Sequence, residues 1–472
     1  MQQSDHDALL GVLRQSAEPG ACAAIEALIG DAADHDLARI NAIAFAAAHR
    51  IGEEDAIAAF LHASRLGLFE MSWNILCRSC AGVLDANTSL KTVRQEEYHC
   101  AFCAVDSEPT LDDAVEVSFA VSPRVRRIAA HDPASLGFWD YHRQVFFGSG
   151  VAFPEPSRFN ELARRTMLET IDLQPGERMV VSVTLPAEPV VVFDPVTHAA
   201  HFIDVSGEPT EERQELSLVF NAIRAAIGRA ALRPGPLRLS LDNRSDARVL
   251  PGIFLAGEDL AALIGGRRPY LTAKRLLSNQ TFRDIYRTDT LAIDQRLKIL
   301  SLSFVFTDLK GSTELYERVG DLVAYDIVRN HFRILHEIVA EQGGAVVKTI
   351  GDAVMATFPS PDRALSAALR IRESMRRLNA RLDAEDLVLK IGIHEGPCLA
   401  VSLNDRQDYF GQTVNLASRV QELATSETII ATEPVVRHAA SARILQEGHV
   451  EAASRDRAIR GMGDRVPVFE LN

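Results

Sequence analysis

Two apolar stretches that each run into a tight turn at an aspartate constrain this chain most: Phe304-Val-Phe-Thr-Asp308-Leu-Lys-Gly-Ser-Thr313 and Lys348-Thr-Ile-Gly-Asp352-Ala-Val-Met-Ala-Thr-Phe358. Both read as strands, and Gly351 supplies the bend of a hairpin that presents Asp352. A carboxylate fixed at a strand end suits Mg2+ or Mn2+, hard cations that take oxygen ligands and leave positions open for substrate phosphates. Two such carboxylates point to phosphoryl chemistry. Around them the pattern alternates strand and helix: strand 302–307, helix 312–341, strands 345–349 and 353–358, helix 361–382, strand 387–393, helix 411–422, and final strands near 428–431 and 466–471. That content is α+β, with helices packed on one sheet.

At 472 residues the chain has room for about three domains, so a multidomain α+β protein is expected. Its net charge of −14 argues against a general nucleic-acid or anionic-membrane partner, since both need a basic face. No apolar run approaches the ~20 residues that span a bilayer. The start, Met1-Gln-Gln-Ser-Asp-His-Asp7, lacks the basic and apolar regions of a signal peptide. The expectation is a cytoplasmic protein whose six cysteines are free, catalytic or metal-bound.

Residues 1–72 read as a helical domain, with apolar positions at helical spacing over 21–28, 37–48 and 54–66. Followed by the strand-like 68–76, they suggest a winged-helix-like segment. Its few basic residues, Arg14, Arg39, Arg50 and Arg65, are outnumbered by acids, which favours a structural or partner-docking role over DNA binding. Residues 73–104 contain Cys77-Arg-Ser-Cys80 and Cys100-Ala-Phe-Cys103, the spacing of a four-cysteine zinc ribbon. A site of four thiolates is closed to substrate, so a structural Zn2+ that folds the module is expected, with His99 as a neighbour or substitute ligand. Cys22 and Cys398 read as buried small residues.

Residues 105–271 turn to β, with short strands over 115–121, 179–185, 190–193 and 237–241, and a helix over 211–227. An antiparallel sandwich-like domain with an inserted helix is the preferred arrangement, and a mixed sheet with parallel strands is the other. His131, His142 and His198 read as surface or structural. Residues 272–299 form a polar segment with helical spacing at Leu276, Phe282, Ile285, Leu291, Ile293 and Leu297. It leads directly into the strand ending at Asp308, where a helix can transmit a change of position that a flexible linker cannot.

The loop Leu309-Lys310-Gly311-Ser312-Thr313 enters a helix, so its backbone N–H groups suit phosphate oxygens, while Ser312 or Thr313 can cap that helix. Further on, Asp408-Tyr-Phe-Gly-Gln-Thr-Val-Asn415-Leu-Ala-Ser-Arg419 spaces Asn415 and Arg419 i, i+4 on one helix face.

With these motifs in order, residues 300–472 resemble the catalytic domain of class III nucleotidyl cyclases, which make cyclic AMP or cyclic GMP. The resemblance implies a ferredoxin-like, palm-type fold and two Mg2+ or Mn2+ per active site at Asp308 and Asp352. It matches Lys348 and Asp408 to the pair that reads the base, Asn415 to the asparagine that orients the ribose, and Arg419 to the transition-state arginine. Arg460 is the candidate for a basic residue touching the triphosphate. A lysine meeting adenine N1 and a carboxylate accepting from the N6 amino group suit ATP, because guanine presents the opposite donor and acceptor pattern. In the family the metal aspartates come from one protomer and the remaining residues from its neighbour, which implies a homodimer with two composite sites. The expected function is an adenylate cyclase regulated by its N-terminal modules. A guanylate cyclase and an inactive nucleotide-binding regulator are the alternatives, and no motif identifies a regulatory ligand.

Overall fold

A computed structural model describes residues 3–94, 97–221, 225–286, 291, 295–382, 388–403, 406–425, 428–458 and 465–472. The chain forms two compact units, one of residues 1–88, 92–109 and 113–271, the other of residues 89–91, 110–112 and 272–472. Among the described residues no helix is long and apolar enough to cross a membrane.

The first unit begins with helices Gln3–Ser16, Pro19–Asp31, Ala42–His49 and Glu53–Arg65. The first of these lies outside the three segments expected from sequence. Its polar composition offers little more than Leu10 and Leu13 to the interior. Strand Phe69–Leu76 follows and lies between Val83–Asn87 and Val115–Val121, antiparallel to both. Beyond it, two sheets share one core. A five-stranded sheet runs in the order Ile227–Leu232, Ala200–Val205, Val190–Phe193, Gly252–Leu255, Met167–Thr170, and a three-stranded one in the order Gln214–Phe220, Gly235–Asn243, Arg178–Leu185. Val192 and Ile203 of the first meet Leu218, Phe220 and Leu239 of the second in that core.

Two expectations are corrected here. The helix over 211–227 is absent: Gln214–Phe220 and Ile227–Leu232 are strands. Leu216, Leu218 and Phe220 alternate with polar or exposed positions, and that period of two, which brings Leu218 and Phe220 into the core, outweighs the looser helical spacing of the whole segment. The sheets are also mixed rather than antiparallel, because Ile227–Leu232 pairs parallel with Ala200–Val205 and Gln214–Phe220 parallel with Gly235–Asn243.

In the second unit, short helices Ala273–Leu277 and Gln280–Ile285 precede the 14-residue strand Leu297–Lys310. The expected Ile293 lies outside the described residues. From this strand the chain follows a β-α-β-β-α-β order through Ala345–Ile350, Ala353–Phe358, helix Pro361–Leu382 and strand Val388–Leu403. In the sheet the strands are ordered Ala345–Ile350, Ala353–Phe358, Leu297–Lys310, Val388–Leu403, Ile429–Thr432, Arg465–Leu471, Ala452–Ala458, and Arg406–Phe410 also pairs with Val388–Leu403. Leu335, Ile338 and Val339 of helix Asp321–Glu341 and Leu365, Ala368 and Ile371 of Pro361–Leu382 pack with Val305, Ala356 and Ile391 of the sheet. The single helix expected over 312–341 is broken into Ser312–Val319 and Asp321–Glu341. Gly320 separates them at φ 79°, a left-handed conformation that glycine adopts without the Cβ penalty.

Candidate active site and cysteine cluster

The central strand fixes Asp308. Its neighbours are antiparallel on both sides, with Thr307 opposite Val354 and Asp308 itself opposite Lys390. Ile350 pairs with Ala353, so Gly351 and Asp352 are the two loop residues of a hairpin, and Gly351 takes φ 64°. This places Asp352 at the tip beside Asp308. Burial and then the charge of Asp352 push the Asp308 carboxyl above its ordinary range, while Lys390 and a hydrogen bond from Gln421 pull it down. A carboxylate at Asp308 whose charge burial and Asp352 disfavour fits a divalent cation, which would supply the missing positive charge. Neither Lys390 nor Gln421 was singled out from sequence; the strand register with Asp308 is the signal for the first.

Lys348 and Asp408 come from different strands and meet. Lys348 Nζ donates to Asp408 Oδ2 at 2.6 Å, and the Tyr409 backbone N–H donates to Asp408 Oδ1 at 2.9 Å. The lysine side chain is 42% exposed and the carboxylate 11%, so the pair presents a solvent-facing cation anchored on a buried anion. A register shift between Val346 and Lys348 bulges the strand just before the lysine, a device that re-aims a side chain.

Asn415 and Arg419 lie on helix Gln412–Glu422, the first exposed and the second half-buried. No side-chain hydrogen bond or ion pair joins either to another described residue. The helix is seated closely on Val388–Leu403: a Cβ at Gly392 would stand 2.3 Å from the Gln421 backbone nitrogen, and one at Gly396 2.9 Å from Thr413 Oγ1. Beyond Asp308 the strand continues through buried Leu309 and exposed Lys310, paired with Leu389 and Val388, so the loop expected over 309–313 is corrected to start at Gly311, which at φ 73° holds the N-cap position. The cap expected at Ser312 or Thr313 is thus corrected, because the helix already begins at Ser312. Arg460 lies outside the described residues. A cavity of about 580 Å3 beside Asp352, lined by Tyr316, Tyr325, Arg329 and Phe332, was not foreseen from sequence.

The cysteines also converge. The sulfurs of Cys77, Cys80, Cys100 and Cys103 all lie within 4.8 Å of one another, and Cys80 and Cys100 are 3.8 Å apart. A tetrahedral zinc with Zn–S bonds of about 2.3 Å needs sulfurs about 3.8 Å apart, so the four residues fit that ion. The Gly82 N–H donates to Cys80 Sγ at 3.3 Å, as metal-bound thiolates require of their surroundings. His99 is turned away to Asp106, 2.7 Å from its Nδ1. Cys22 and Cys398 are buried, and burial pushes the Cys398 thiol up to about 12.

A family model described as a family of unknown function (DUF5939) matches residues 3–284, more than half of the chain. The chain belongs to that family. In this DUF5939 chain a second model, the adenylate and guanylate cyclase catalytic domain, matches residues 297–464, which are therefore a cyclase domain of palm-type fold. Among curated relatives, an adenylate cyclase of Mycosarcoma maydis is 32% identical over 156 residues, 29% of this chain and 6% of its own length. An adenylate cyclase of Anabaena cylindrica is 28% identical over 185 residues, 36% of each protein. The DUF5939 chain thus spans a minor part of the length of these relatives. Among solved structures, the adenylyl cyclase CyaB from P. aeruginosa is 21% identical, with a TM-score of 0.34 over 38% of this chain and 96% of that one.

Proposed function

We propose that the chain is an adenylate cyclase, converting ATP to 3′,5′-cyclic AMP and pyrophosphate. The observation that carries this reading is the 2.6 Å pairing of Lys348 with Asp408 inside a cyclase catalytic domain. In this reading the ammonium donates to adenine N1 and the carboxylate accepts from the N6 amino group, a pattern guanine does not satisfy. The domain's family includes guanylate cyclases, so these two residues carry the choice of base.

Divalent cations, Mg2+ or Mn2+, held by Asp308 and Asp352 would activate the ribose 3′-hydroxyl and neutralise the triphosphate. The chain's own residues do the rest. Asn415 orients the ribose so that its 3′-oxygen lies in line with the α-phosphorus and the departing pyrophosphate. Arg419, one turn further along the same helix, neutralises charge developing on the α-phosphoryl group, a task suited to a planar guanidinium. The backbone at residues 309–313, with Arg460, binds the phosphates. In the proposed homodimer, Asp308 and Asp352 of one protomer face Lys348, Asp408, Asn415 and Arg419 of the other. Cys77, Cys80, Cys100 and Cys103 hold a structural Zn2+, and the remaining N-terminal modules regulate turnover.

The test is turnover of ATP and GTP by the purified chain with Mg2+ or Mn2+. Cyclic AMP with pyrophosphate, and loss of it in Asp308→Ala, Asp352→Ala and Arg419→Ala with the fold retained, is expected. An active Asp308→Ala protein sinks the mechanism, and a preference for GTP sinks the assignment of Lys348 and Asp408.

A further inference from the structure

In the first unit, the π-helical segment His142–Phe146 carries Arg143 to the wall of a cavity of about 480 Å3. π-Turns inside helices are rare and recur at functional sites. The Arg143 guanidinium lies 4.3 Å from the centre of the Phe159 ring and 5.3 Å from that of Phe153. Its Nε is buried, and no carboxylate or hydrogen-bond acceptor among the described residues answers it. Arg39 and Arg268 line the same cavity. Arg39 Nη1 stands 3.9 Å from the fully buried Glu116, but its Nε too is buried without a partner. Arg268 Nε donates to the Ser149 carbonyl at 2.8 Å. Asp36 is the one carboxylate among the lining residues, and Ile40, Phe45 and Phe153 give the cavity apolar walls.

Arg143 is half-buried, and its buried, unanswered Nε–H gains from an acceptor placed in the cavity. We infer that this cavity binds a small organic anion, a carboxylate or phosphate head on an apolar body, with Arg143 as its principal partner and Arg39 and Arg268 beside it. Its size is that of a small-molecule site, and planar guanidiniums favour such heads.

The experiment is thermal unfolding of the full chain against octanoate, inorganic phosphate and, at matched ionic strength, chloride. A saturable rise in unfolding temperature with octanoate or phosphate but not chloride is expected, and which of the two acts identifies the head group. Arg143→Met keeps a long apolar side chain beside the two rings without the charge and should abolish the rise. Arg268→Ala, at an exposed position, should weaken it about tenfold and serves if the first variant does not fold. No saturable rise with either probe, or an equal rise in the variants, overturns the inference.

A separate observation concerns the base-reading pair and rests on the adenylate cyclase reading. Helices Ala273–Leu277 and Gln280–Ile285 are bonded to the strands that carry Lys348 and Asp408, each time within two residues of one of them. Gln280 Oε1 accepts from the Val346 N–H at 2.8 Å. Arg283 Nη2 donates to the carbonyls of Val347, at the bulge, at 3.3 Å and of Gln407 at 2.9 Å. The Tyr409 hydroxyl donates to the Leu277 carbonyl at 3.2 Å. The geometry points to Arg283 as a positioning residue: by tying the two strands together it sets the spacing at which Lys348 and Asp408 meet the base.

Binding of non-cyclisable ATP and GTP analogues to the full chain, with KM and kcat alongside, tests this. Arg283→Ala should lower affinity for the ATP analogue about tenfold, leave the GTP analogue unchanged, and raise KM far more than it lowers kcat. Arg283→Lys should recover part of the loss, and Gln280→Ala should act in the same direction if Arg283→Ala does not fold. Undiminished base preference in these variants, or no base preference in the unaltered chain, overturns the assignment. Base-selective binding without turnover overturns the cyclase reading and leaves the positioning role intact.

Discussion

At the scale of single residues, the site is a set of charges that the fold leaves partly unanswered. Asp308 is half-buried beside Asp352, with Lys390 and Gln421 as incomplete compensation. Such pairs trade stability for function. Removing one charge with Asp308→Asn should raise the unfolding temperature of the metal-free chain by roughly 2–4 °C while abolishing turnover, and the stabilisation by Mg2+ expected of the unaltered chain should disappear. Calorimetry with and without Mg2+ checks this, and a destabilised variant would show that the carboxylate is a structural cap instead. Lys348 and Asp408 are the opposite case, already neutralising each other at 2.6 Å.

At the scale of elements, close packing positions helix Gln412–Glu422, which carries the proposed catalytic residues Asn415 and Arg419. Gly392 leaves no space for a Cβ beneath Gln421, so Gly392→Ala must push helix Gln412–Glu422, with Asn415 and Arg419, off the strand. The expected cost is about 1–3 kcal/mol, read by denaturant unfolding, with a loss of kcat disproportionate to it; a stable and fully active variant contradicts this account of the helix. This contact was invisible in sequence, because a glycine in a strand signals close approach without naming the neighbour. The strands at Asp308 and Asp352 were legible because apolar runs stop at glycine-containing turns. Edge strand Ala452–Ala458 was not, since Ala-Ala-Ser-Arg-Asp-Arg-Ala pairs on one side only and has no apolar face to betray it. Gln214–Phe220 was misread because a short strand can imitate helical spacing, and its parallel partner Gly235–Asn243 is remote in sequence. Arg283 and Gln280 were passed over for a related reason: their partners are backbone atoms, which leave no trace in side-chain patterns.

At the scale of the whole molecule, burial of histidines ties stability to pH. His142 in the first unit and His331 and His394 in the second are each pushed down to about 4, chiefly by burial. The unfolded chain takes up protons near 6.5 and the folded chain only near 4, so stability is full above about pH 6.5 and is lost as pH falls towards 4. Each histidine contributes on the order of 3 kcal/mol to that loss. Urea midpoints should therefore fall between pH 7 and pH 5; a flat profile would mean that these rings are charged or solvated when folded.

Active sites built from two protomers can be detected by mixing two inactive variants. In a dimer of Asp308→Ala with Arg419→Ala, one site carries both defects and the other neither. With random exchange half the dimers are mixed, so about a quarter of the unaltered activity should return. A mixture that exchanges subunits yet makes no cyclic AMP contradicts it.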